Sequence, residues 1–225
     1  MRIAIIESPN PIDVFAGVDE ARALDATCKL IGHQTASFAA RSRAELQTIC
    51  KYLSSADSAH AVSRTQKSPL FIHISSHGND QGLAFGADFI EWDGLALDLL
   101  PILKNEDYLG RTVLCLSACG SGEQKIHRVL KQELNDRWER VPLYIVSIRG
   151  ETVLWADALV GWTLFYHKIS KINLADHKAL VKIFDEIEQC VQVQFSYHRY
   201  NESQGRFVFF PSRPNQPADT GVGEA

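Results

Sequence analysis

Thr112-Val113-Leu114-Cys115-Leu116-Ser117-Ala118-Cys119-Gly120-Ser121-Gly122 decides how the chain is read. It opens as an apolar, β-branched run, and about five apolar residues bounded by glycine read as a buried strand. It closes in residues with almost no side-chain bulk. A thiol set where a buried strand gives way to glycines can be approached closely by another backbone. Upstream stands Leu70-Phe71-Ile72-His73-Ile74-Ser75-Ser76-His77-Gly78, a second apolar strand that ends in a functional side chain followed by glycine. The two strands are expected to deliver the halves of a Cys/His pair to one edge of a sheet.

Outward from these strands the pattern alternates. Arg2 to Ile6 reads as a first, central strand, followed by the loop Glu7-Ser8-Pro9-Asn10-Pro11. A helix is expected over Asp13 to Ile31, with Ala21, Leu24, Cys28 and Ile31 on one face and Gly32 as its stop. Gln34 to Ala39 is a short strand. Ser42-Arg43-Ala44-Glu45 is a capping box opening a helix with Leu46, Ile49, Cys50 and Leu53 at i, i+3, i+4 and i+7. Ser54 to Pro69 is polar and reads as a surface loop. After His77, the Gly-rich Asn79 to Glu91 is expected to hold a short ribbon, and Asp93 to Leu103 a helix.

Beyond Cys119 the expectations are a helix over Glu123 to Asn135, a buried strand over Leu143 to Ile148, and helices over Trp155 to Ile169 and Asp176 to Val191. Alternating Val193, Phe195 and Tyr197 and the apolar Phe207 to Phe210 suggest a terminal strand or a hairpin across Asn201 to Gly205. Strands alternating with helices imply a mostly parallel sheet with helices on both faces. In such sheets, sites gather beyond the carboxyl ends of the strands. That is where His77-Gly78 and Cys119-Gly120 fall.

Composition narrows the functional classes. The 225 residues suit one domain, expected over 1–210, with a Pro- and Gly-rich tail at 211–225 that lacks an apolar anchor. A net charge of −4 and no basic stripe give no ground for a nucleic-acid partner. No run approaches the ~18 apolar residues of a membrane span. Glu7 interrupts the N-terminal apolar run too soon for a secretory segment, so the expected location is cytoplasmic. Five irregularly spaced cysteines argue against a disulfide framework, and Cys28, Cys50 and Cys190, in helical patterns, read as small core hydrophobes.

A nucleophilic cysteine needs thiolate character and a nearby proton carrier, and its tetrahedral intermediate needs N–H donors. Cys119 and His77 supply the first two, and the amides of Gly78 and Cys119 the third. Taken singly, each has a structural explanation: a buried thiol, a capped strand end. Their matched placement makes the catalytic reading the stronger. The i, i+4 pairs His73/His77 and Cys115/Cys119 suggest a metal set only on helices. On strands, four residues span ~13 Å, too far for one ion. No metal is therefore expected. His33, His60, His127, His167, His177 and His198 lie far from both motifs, and the four tryptophans read as packing residues.

Apolar strand, His-Gly, a linker with a helix, then apolar strand and Ala-Cys-x-Gly resembles the caspase-like cysteine peptidases. The pieces that match are Ser75-Ser76-His77-Gly78 and Leu116-Ser117-Ala118-Cys119-Gly120-Ser121-Gly122. With Trp155-Ala156-Asp157-Ala158-Leu159 leading to Phe165-Tyr166, the Ser-Ala-Cys form is most like the bacterial CHAT (caspase-HetF-associated) domains. The resemblance spans roughly residues 1 to 200. It implies a caspase-like three-layer α/β sandwich, a His77/Cys119 dyad, and an oxyanion hole from the Gly78 and Cys119 amides. The implied reaction is peptide-bond hydrolysis through a thioester, without a cofactor. It further implies a protein substrate, such as a gasdermin-like pore former in an anti-phage or cell-death system, and control by a partner protein or a cleaved loop.

Specificity stays open at this stage. Metacaspases carry an Asp two residues before the nucleophile, where this chain has Ser117. Related enzymes place an acid after the next strand, where Glu151 and Asp157 stand, and their structural explanation is an acid at a helix N-terminus. Arg149 instead suits an acidic P1 side chain. The expectation carried forward is a basic P1. The rival reading is a catalytically silent caspase-like scaffold. A doubly wound nucleotide domain is disfavoured because no Gly-rich phosphate loop follows the first strand.

Overall fold

The computed structural model describes residues 1–55, 68–123, 125–134, 137–191 and 193–211. Its first strand, β1 (Arg2–Glu7), is built from Ile3, Ala4, Ile5 and Ile6, all buried. The chain then forms two helices where the sequence suggested one. The five-residue α1 (Pro11–Phe15) starts at Pro11, with the Asn10 side chain capping the Ile12 N–H, and ends before Gly17, whose φ is +73°. Asp19 then caps a new helix, α2 (Glu20–Leu30), by accepting from the Arg22 N–H. A left-handed glycine followed by a fresh acidic cap stops one helix and starts another.

Next come β2 (Gln34–Ala39) and α3 (Arg43–Ser55), the latter capped by Ser42 through the Glu45 N–H. Most of the Ser54–Pro69 loop and the tail after Pro211 lie outside the described residues. Strand β3 (Leu70–Ser75) is buried at every position and leads to the ribbon β4 (Gly82–Phe85) and β5 (Asp88–Glu91), then α4 (Trp92–Leu103). Strand β6 (Thr112–Ser117) is equally buried. The helix expected at Glu123 is preceded by a 3-10 turn over Ser121–Glu123 and starts later, as α5 (Ile126–Glu133). Then follow β7 (Tyr144–Arg149), α6 (Trp155–Ile169), α7 (His177–Val191), β8 (Gln194–Asn201) and β9 (Arg206–Phe210).

Among the described residues the main sheet has seven strands in the order β2-β1-β3-β6-β7-β8-β9. The first five run parallel, and β8 and β9 close one edge as an antiparallel hairpin. Strand alternation sends Ile72, Ile74, Leu114 and Leu116 to one face, where they pack with Leu46 of α3, Leu99 of α4 and Leu130 of α5. It sends Phe71, Val113 and Cys115 to the other, against Leu24 of α2, Trp162 and Phe165 of α6, and Phe184 of α7. The result is a mixed α/β three-layer sandwich, consistent with the caspase-like arrangement. Each fully buried Leu, Ile or Phe side chain of these layers contributes about 1.5–3 kcal/mol.

One topological feature positions the site. The chain leaves β1 toward β2 on one side and returns to β3 on the other. In open α/β sheets, ligands bind outside the carboxyl ends of the strands beside such a reversal, here β1 and β3.

Candidate active site

The geometry is set by the pairing of β3 and β6. His73 stands opposite Cys115 and Ser75 opposite Ser117. The Ser76 N–H donates to the Ser117 carbonyl at 3.1 Å, carrying the ladder past the strand ends. His77 and Cys119 follow two residues past the ends of these adjacent strands, at the same edge of the sheet. The loops they enter remain packed together. A side chain at Gly78 would lie 3.2 Å from the Ala118 Cβ, and one at Gly120 would run into the backbone of Asn79 and Asp80. Gly120 also has a φ of +71°, which side chains other than glycine's rarely adopt.

The side chains that define the face are 73, 75 and 77 on β3 and its extension. His73 packs edge-on against Trp162, with ring centroids 4.8 Å apart. Ser75 and Ser117 both donate to the carboxylate of Glu20, at 2.6 and 2.9 Å. His77 Nε2 lies 2.6 Å from Asp13 Oδ2 of α1, and its ring meets Trp155 of α6 edge-on at 5.4 Å. His77 therefore sits on the α2/α6 face, the face to which alternation also assigns position 119. The β4–β5 ribbon fastens its backbone: Ala84 N–H donates to the His77 carbonyl at 2.8 Å, and Asn79 N–H to that of Gly82 at 3.0 Å.

The cysteines divide by environment. Cys28, Cys50 and Cys115 are buried, and burial pushes each thiol up to about 12, so they stay protonated and inert. Cys119 is half-buried, and Cys190, expected in the core, is exposed near the end of α7. Among the described residues, neither the Gly78 nor the Cys119 N–H is spent on a carbonyl of the chain, whereas the Gly120 N–H is held by Gly150 O at 2.9 Å.

The other expected site residues separate. A cleft of about 850 Å³ runs along the carboxyl edge from the β3 loop to β8, lined by Asn79, Asp80, Gly120, Gly122, Arg149 and Glu151, among others. Arg149 and Glu151 thus border a cleft that reaches Gly120, the residue after Cys119, and whose lining includes neither Cys119 nor His77. Asp157 lies in the first turn of α6 and does not line this cleft. Ser117 is 2% exposed and turned onto Glu20.

Beneath the edge lies a buried polar cluster that sequence reasoning did not find. Glu20, 2% exposed, accepts from both serines and lies 3.5 Å from His73 Nε2, while His73 Nδ1 meets the Tyr166 hydroxyl at 3.0 Å. Glu7, at the end of β1, accepts from the Glu20 N–H. Burial, aided by the charges of Asp19 and Glu20, raises its carboxyl to about 7. Asp13 was missed as well, although Asn10-Pro11 is a helix-start signal and Gly17 a break. Reading one helix from Asp13 to Ile31 hid the separate α1 that carries it. Among the described residues, no group of three or more His, Cys, Asp or Glu side chains is placed to hold a metal ion.

No protein-family model matches the chain, and no curated protein matches it in sequence.

Proposed function

We propose that the protein is a cysteine endopeptidase in which Cys119 attacks a peptide carbonyl and His77 moves the proton. The observation that carries this reading is the register of β3 and β6, which pairs Ser75 with Ser117 and so puts a histidine and a half-buried cysteine each two residues past the paired ends, at the carboxyl edge of a parallel sheet. Sulfur attack forms a tetrahedral intermediate, and the Gly78 and Cys119 N–H groups are its donors. Its collapse breaks the C–N bond as His77 protonates the departing amine. Water, deprotonated by His77, then hydrolyses the thioester and returns the thiol.

The substrate is a protein segment lying in extended form along the open cleft that Gly120 and Gly122 help to line. Asp80 and Glu151 set two carboxylates against one guanidinium, Arg149, in the lining of that cleft. This balance favours a basic P1 side chain. A pore-forming effector is a substrate of the kind the caspase-like resemblance implies.

A positional-scanning peptide library read with wild type and Cys119→Ala tests the proposal. The expected result is cleavage after Lys or Arg, abolished by the substitution. Cleavage that survives Cys119→Ala would refute the mechanism. A silent scaffold would cleave nothing with either protein.

A further inference from the structure

The carboxylate of Asp13 stands where a third member of the proposed catalytic unit would stand. Helix α1 buries none of its residues. Ile12, Val14 and Phe15 are 75%, 58% and 93% exposed, and its one residue turned inward is the acid. The apolar side chains therefore do not anchor the helix, and their exposure is not what packing alone would select. The inward acid meets His77, 64 positions away in sequence, at 2.6 Å. Exposed ion pairs contribute little to stability, so the pairing is not explained by folding energy either.

We infer that Asp13 is a positioning residue that holds His77 as the Nε2–H tautomer, leaving Nδ1 as the nitrogen that takes the Cys119 proton. An ionised carboxylate only accepts hydrogen bonds, and a neutral imidazole has a single N–H. With Asp13 on Nε2, that N–H belongs to Nε2 and the lone pair to Nδ1. Trp155, edge-on to the ring at 5.4 Å, limits its rotation. When His77 accepts the thiol proton on Nδ1, both nitrogens carry hydrogen, and the carboxylate stabilises the cation formed. The inference rests on the Cys119/His77 reading of the site, but its tautomer is measurable without turnover.

The test compares wild type with Asp13→Ala, Asp13→Asn and Asp13→Glu, all as full chains. Long-range ¹H–¹⁵N spectra of the His77 ring are expected to show Nε2–H in wild type and a tautomer mixture in Asp13→Ala. For a peptide that wild type cleaves, kcat is expected to fall on the order of 10- to 100-fold in the Ala and Asn variants, part of what general acid–base catalysis supplies. KM should be unchanged, and Asp13→Glu should recover part of the loss. Melting temperatures should match, because the pair is partly exposed. An unchanged tautomer in Asp13→Ala, or a changed tautomer with unchanged kcat, would overturn the inference. Wild-type turnover that is absent or independent of Cys119 would instead refute the peptidase proposal, and the spectra would still decide the tautomer.

Discussion

At the scale of single residues, the site edge is a place where carboxylates are held together against their own repulsion. Glu7 accepts backbone N–H bonds from Glu20 and Ala21, and its neighbours Asp19 and Glu20 are acids. Burial and those charges keep its proton on to about pH 7 in the native state, whereas the unfolded chain releases it near 4.5. The native state therefore binds more protons between these values. The stability this group contributes is complete below pH 4.5 and is lost as pH rises through 7. Glu7→Gln keeps an acceptor oxygen for both N–H groups and cannot ionise. The variant should be more stable than wild type at pH 8 by about 1–2 kcal/mol, a value reduced for partial solvent screening. At pH 5 the difference should nearly vanish. Urea unfolding at the two pH values checks this, and an equal difference at both would show that the carboxyl ionises normally.

At the scale of elements, strands and long helices were legible because their signals are local. The α6 helix begins and ends where its periodicity does, at Trp155 and Ile169, and β3 and β6 follow their apolar runs. The split between α1 and α2 was not read, because Asp13 to Ile31 keeps a helical apolar face across Gly17 and only the caps reveal the break. Glu20 was not found because its partners, Ser75 and Ser117, come from strands more than fifty positions away, and no spacing rule records such a meeting. The roles of the Cys119 loop glycines were legible in outline and are sharper in the structure. Gly120 combines a φ of +71° with contact against the Asn79–Asp80 backbone. Gly120→Ala should destabilise the fold by about 1–3 kcal/mol, since backbone rather than a flexible side chain must move. It should also reduce peptide turnover, because the loops bearing His77 and Cys119 are pushed apart. Thermal melting and turnover would check both, and a variant unchanged in melting would show that the two loops are not in contact.

At the scale of the whole molecule, the layered order of the fold followed from alternating strands and helices. What sequence could not give was the strand order, which places β3 between β1 and β6 and so brings α1, β3, β6 and α6 to one edge. Among the described residues, no helix is long and apolar enough to cross a membrane. The central claim is that one thiol of five is singled out by a histidine on the neighbouring strand. A peptidyl acyloxymethyl ketone, with the labelled residue mapped by mass spectrometry, tests it most directly. The account predicts labelling at Cys119, strongly reduced in His77→Ala, with Cys28, Cys50 and Cys115 spared by burial. Equal labelling of Cys119 in wild type and His77→Ala, or labelling of Cys190 as strong as that of Cys119, would contradict it.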